Sequence, residues 1–187
     1  MKGLGHKAAR LRGDNEALLH YSPVGSSASN GRAERMIQTV RKQALTLKLA
    51  WESLFGVPLL GQSCLLPWLF RHAAWLLARF HVKATGRTAY EDVNDAVFRQ
   101  EILPWGEIVI FRLSSGKKAK LPKTEAAWTR GVWVGKTDSS AEHLLLTPTG
   151  ATRCRSARRL PRERAYDQVF VQTVKGVPWD MGAGAIG

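Results

Sequence analysis

Between Arg32 and Phe55 apolar residues recur every three or four positions, at Met36, Ile37, Val40, Ala44, Leu47, Trp51 and Leu54, which puts them on one face of a helix. The other face carries Gln38, Arg41, Lys42 and Lys48. Ser29 and Asn30 are the expected N-caps, and Gly56 with Pro58 ends the helix. A second helix is predicted from about Pro67 to Phe80, with Pro in the first turn, where its missing N–H costs nothing. Trp68, Phe70, Trp75, Leu76 and Leu77 make it apolar nearly all round, so it should be buried. After Thr88-Ala-Tyr-Glu-Asp-Val93 the helical period stops. Strand-like runs follow at 108–113, 131–134, 143–147 and 151–155, separated by turn signals at Ser114-Ser-Gly116, Thr137-Asp-Ser-Ser140 and Pro148-Thr-Gly150. Several short strands within some sixty residues predict a small barrel. The tail from Pro161 has fewer cues, and Gly182–Gly187 reads as disordered.

Charge changes this picture more than length does. The 187 residues hold 28 Lys and Arg against 15 Asp and Glu, a formal charge of +13, and the isoelectric point is near 10.4. Such a surface attracts polyanions, of which nucleic acid is the commonest, because neutralised phosphates release their condensed counterions. The plainer reading is a basic protein kept soluble by its charge. An apolar content of 44% is ordinary for a globular chain and excludes disorder throughout. Cys64 and Cys154 have neither the number for a disulfide framework nor the spacing for zinc. The basic N-terminus has no apolar core behind it, so no secretory signal is expected. The longest apolar stretch, Leu65 to Phe80, is interrupted by Arg71, His72 and Arg79, so no membrane span is expected either. An intracellular location, nuclear or cytoplasmic, follows.

The sharpest local signal is a Ser/Gly-rich loop from Ser22 that runs into the first turn of the long helix and puts Glu34 at a helix N-terminus. The helix dipole favours a carboxylate there, where it can sit beside a bound cation. A simple capping carboxylate fits the same residues. The stretch Ser29-Asn-Gly-Arg-Ala-Glu-Arg35 resembles the motif, ending Asn-Gly-x-x-Glu-Arg, that carries the third acidic residue of retroviral and copia-type retrotransposon integrases. Leu11-Arg-Gly-Asp-Asn-Glu16 resembles that family's second acidic motif. Thr88-Ala-Tyr-Glu91 is similar to its Thr-Pro-Tyr-Glu segment, and Gly131-Val-Trp-Val-Gly135 to the aromatic-Val-Gly strand of the small domain that follows its core. The four matches occur in the family's order and span most of residues 11 to 160.

The resemblance implies an α+β chain: a partial ribonuclease H-like core, mostly helices, over 1–95, an SH3-like β-barrel that binds DNA over 96–165, and a partly disordered tail over 166–187. It implies a metal-dependent polynucleotidyl transferase chemistry in which carboxylates hold Mg²⁺ or Mn²⁺, with Asp14 the second metal ligand and Glu34 the third. The family's first Asp has no counterpart ahead of Asp14, and 19 residues separate Asp14 from Glu34, fewer than the family places there. The expectation is therefore weak cation binding and no strand transfer by this polypeptide alone. Gln38 and Arg41 share Glu34's face, and with Asn30, Arg35 and Lys42 they are the expected contacts to a DNA end. A solvated helix face is the competing reading. Six arginines in twelve residues, Arg153, Arg155, Arg158, Arg159, Arg162 and Arg164, form a candidate phosphate patch, or else a nuclear-localisation signal or an edge charged against strand pairing. Lys117, Lys118, Lys120 and Lys123 form a second positive cluster. The expected partners are DNA, a second copy or other integrase segments. Two other readings remain open: a host-adopted DNA- or chromatin-binding module, and an active integrase portion of a longer polyprotein.

Overall fold

The computed structural model describes residues 27–112 and 128–181, excluding the side chains of 27–30 and 32. It has two compact units, Met1–Arg35 and Met36–Gly187. Of the first, only the helical backbone from Ser27 and a few side chains are described. The class is α+β.

Helix α1 runs from Ser27 to Phe55. Val40, Ala44, Leu47, Trp51 and Phe55 supply its packed stripe; Met36, Ile37 and Leu54, expected on that stripe, are 56%, 51% and 40% exposed. The start falls before the expected caps, because no residue between Pro23 and Ser29 forbids helix and extending a formed helix backwards is cheap. At the other end Gly56 takes a φ of 68° and donates to Glu52 O. The Glu52 carboxylate accepts from Lys48 Nζ at 2.6 Å and from Leu59 N at 2.7 Å, which ties the following turn to the helix and holds its pKa below the usual carboxylate value.

Helix α2 (Leu65–Phe80) is buried on one side, through Trp68, Leu69, Ala73 and Trp75 together with His72 and Arg79, but not all round as its composition predicts: Phe70 is 41% exposed, and Leu76 and Leu77 are half-buried. Helix α3 (Ala89–Asn94) occupies the Thr88-Ala-Tyr-Glu91 segment. Its start is a capping box: Thr88 Oγ1 accepts from Glu91 N at 3.1 Å, and Glu91 Oε2 accepts from Thr88 N at 2.6 Å. Thr88→Ala should therefore cost about 1 kcal/mol, measured as a lower urea midpoint at unchanged slope.

Among the described residues five strands follow: β1 (Ile108–Phe111), β2 (Thr129–Lys136), β3 (His143–Thr147), β4 (Gly150–Cys154) and β5 (Ala157–Arg159). They make one antiparallel sheet in the order β4-β3-β2-β1-β5, with no pairing of β4 to β5. Cys154 and Ala157 are three residues apart in sequence yet belong to opposite edges. Three residues reach at most about 11 Å, whereas the edges of a flat five-stranded sheet lie about 19 Å apart, so this end of the sheet must curl. Short helices α4 (Arg162–Ala165) and α5 (Gln168–Thr173) then form in the tail, α5 capped by Asp167 Oδ1, which accepts from Phe170 N at 3.0 Å.

One hydrophobic core joins the C-terminal half of α1, α2, the 103–111 segment and the strands. Trp68 Nε1 donates to Gly176 O at 3.0 Å, Gln168 Nε2 donates to Phe55 O, and His72 meets Trp133 edge-on at 5.2 Å. The boundaries expected at 95 and 165 both fall within this unit.

Candidate nucleic-acid interface

Strand register builds a basic row that is invisible in the linear sequence. Ile110 pairs with Arg130 on one side and with Arg158 on the other, so Arg158, Ile110 and Arg130 lie abreast across β5, β1 and β2. Residues directly opposite in antiparallel strands project from the same face. Arg158 is exposed, and its guanidinium lies 4.5 Å from the centroid of the Trp128 ring. Arg130 lies 4.4 Å from the Phe170 ring and donates to Asp167 Oδ2 at 2.9 Å, which lowers the Asp167 pKa. Arg112, two residues beyond Ile110, is exposed as well. At Arg158 stacking fixes the plane of the guanidinium while leaving its edge donors available, which suits bidentate contact with phosphate oxygens, whereas the Arg130 guanidinium is engaged by Asp167.

The six clustered arginines divide by partner. Arg159 Nε donates to Glu107 Oε1 at 2.8 Å; this carboxylate is fully buried, and the pairing raises the Arg159 pKa. Arg159 is thereby committed to holding β5 against the core, a role that its place in the arginine run does not reveal. Arg153 and Arg155 each lie 3.8 Å from Glu142, and the Arg155 side chain remains 89% exposed. Arg162 and Arg164 are exposed on α4 and form no ion pair among the described residues. The most available charges are thus Arg155, Arg158, Arg162 and Arg164. The alternation expected for Arg153 and Arg155 ends with β4 at Cys154. The lysines at 117, 118, 120 and 123 lie outside the described residues.

On α1, Glu34, Arg35, Gln38, Arg41 and Lys42 are all exposed. Asn30 lies in the helical backbone, and its side chain is outside the described set, as is Asp14 altogether. With the helix starting at Ser27, Glu34 sits two turns in, and the first turn holds no acid. The dipole effect is confined to the first turn, so it no longer singles out Glu34. Among the described residues no three His, Cys, Asp or Glu side chains gather to hold a cation. Glu34 by itself offers a single carboxylate.

Behind the sheet, α2 meets β2. His72 is 1% exposed, stacked on Trp75 at 5.7 Å, and its Nδ1 has no partner among the described residues. Burial, with a smaller contribution from Arg71, pushes its pKa down to about 4. Trp133 Nε1 donates to His143 Nδ1 at 3.0 Å, and burial followed by Lys136 also lowers the His143 pKa against an opposing effect of Glu101. Burial favours the neutral form of both imidazoles. No described helix is long and apolar enough to cross a membrane. Comparisons of the chain with protein-family models, with curated proteins and with solved structures give no match.

Proposed function

We propose that this chain is an integrase-derived, mobile-element polypeptide whose role is to bind DNA. The observation that carries the reading is the set of exposed arginines at the curled end of the sheet: Arg158 stacked on Trp128, Arg155 just ahead of β5, and Arg162 and Arg164 following on α4. Strand order supports the finer assignment of an SH3-like barrel, since a β1–β4 meander with β5 returning to β1 needs only the curl already described to close. The exposed α1 face of Gln38, Arg41 and Lys42 suits a DNA backbone lying along it, and the assignment of the helices to a partial ribonuclease H-like core rests on the motif resemblance. The phosphate contacts set register and supply affinity, and they read no sequence by themselves.

The acidic pair Asp14 and Glu34, and a requirement for Mg²⁺ or Mn²⁺, belong to the same proposal. An end-nicking and strand-transfer assay on labelled duplex DNA with Mn²⁺, run on the chain and on Glu34→Ala with binding measured in parallel, tests it. Binding without turnover in either protein is expected for a DNA-binding chain that lacks independent catalysis. Turnover that disappears in Glu34→Ala would instead establish a working transferase. Absence of DNA binding by the folded chain would overturn the reading.

A further inference from the structure

Arg71, Trp75 and Arg79 follow one another along a ridge of α2, and both arginines reach the turn between β2 and β3. Arg71 Nη2 lies 3.3 Å from Asp138 Oδ2, and Arg79 Nη2 lies 3.4 Å from Asp138 Oδ1. Charge-assisted contacts of this type usually close to about 2.7–2.9 Å, so one carboxylate stretched between two guanidiniums satisfies neither well. The burial is lopsided: the Arg79 side chain is 8% exposed and that of Asp138 is 72% exposed.

Both guanidiniums are fixed in advance of any ligand. Arg79 sits among three rings, 4.1 Å from Trp75, 5.3 Å from Tyr90 and 5.5 Å from Phe98. Among the described residues its only other polar contact is a long one, 3.4 Å, to Trp75 O, and its buried Nε has no partner there. Arg71 is held by donating from Nη1 to Lys136 O at 3.0 Å. A buried guanidinium is costly unless its donors are met, and here two positive groups share one solvent-exposed negative one.

We propose that Arg71 and Arg79 form a binding site for a phosphate group, in which Asp138 is a stand-in that the ligand displaces. Phosphate carries more oxygens than a carboxylate and spans two guanidinium forks without stretching. Asp138 is already largely in water, so its release costs little. This site is formed by α2 and the β2–β3 turn, uses none of the arginines of the β5–β1–β2 row, and does not depend on the DNA-binding reading.

The test is a titration of the whole chain with inorganic phosphate, against chloride at matched ionic strength, followed by the indole signals of Trp75 in NMR spectra. Saturable binding is expected, tightened about fivefold in Asp138→Asn, the worth of one exposed ion pair, and abolished in Arg71→Gln. Arg71 is partly exposed, and circular dichroism confirms that its variant is folded. An affinity equal in all three proteins, or no saturable binding in Asp138→Asn, would overturn the site. Tighter competition by a 5′-phosphorylated oligonucleotide than by its hydroxyl-ended counterpart, absent in Arg71→Gln, upholds it with a nucleic-acid end as the source. Inorganic phosphate competing as well as either oligonucleotide upholds it with a free anion as the source.

Discussion

Gly106→Ala should unfold much of the protein at temperatures where the parent chain is intact. Gly106 takes a φ of 81°, and a Cβ built on it would lie 2.3 Å from Trp51 Cδ1 and 2.5 Å from Trp51 Nε1. Neither the glycine nor the indole can give way easily. Gly106 N donates to Trp133 O at 2.8 Å, and Trp51 is buried and stacked on Phe55 at 4.3 Å. The left-handed backbone alone costs a non-glycine residue about 1–2 kcal/mol, and overpacking adds about 1–3 kcal/mol. A loss of about 3–4 kcal/mol corresponds to a melting midpoint lower by roughly 10 °C for a chain of this size. Gly86 separates the two effects: its φ is 80° with nothing within 4 Å of a built Cβ. Gly86→Ala should show the backbone cost alone. Equal melting of the two variants would contradict the close packing of α1 on the 103–111 segment.

Acid should destabilise the protein well above the range where carboxylates titrate. The His72 imidazole is neutral in the folded protein down to about pH 4, whereas in the unfolded chain it takes a proton near its ordinary value of 6.5. The unfolded state therefore binds more protons between those limits, and stability falls as pH falls through the window. At about 1.4 kcal/mol per unit, the loss approaches 3 kcal/mol by pH 4. His143, whose pKa is also lowered and which accepts from Trp133 through Nδ1, adds in the same direction. Urea unfolding between pH 7 and 4 measures this, and His72→Leu should remove a large part of the slope. An unchanged slope in that variant would assign the acid sensitivity elsewhere.

Both long helices and four of the five strands were legible, because each carries its period in consecutive residues. Val40, Ala44, Leu47 and Trp51 mark α1, and the run His143–Thr147 marks β3 to the residue. Strand β5 was not, since Ala157-Arg-Arg159 has no alternation and is held by pairing with β1 and by the buried Glu107. Helix α3 was not read either: its Thr88-x-x-Glu91 box is a start signal, but six residues are too few for a hydrophobic period. The exposure of Met36 and Ile37 could not be read, because a periodic stripe says which residues share a face and not how much of that face is covered. The arginine cluster was visible as charge, but its division was not. That Arg159 serves Glu107 while Arg158 stacks on Trp128 depends on strand register, and Arg130 joins the row only through Ile110.

DNA binding is the central claim, and its most direct test is a salt titration of duplex binding, by fluorescence anisotropy, for the parent chain and for Arg158→Ala/Arg162→Ala/Arg164→Ala. The parent should bind without strong sequence preference, with log K falling linearly against log salt. The triple variant should bind more weakly, with a slope shallower by about 0.9 for each phosphate that is no longer neutralised. A parent affinity indifferent to salt, or an identical slope in the folded variant, would contradict an arginine edge that holds DNA.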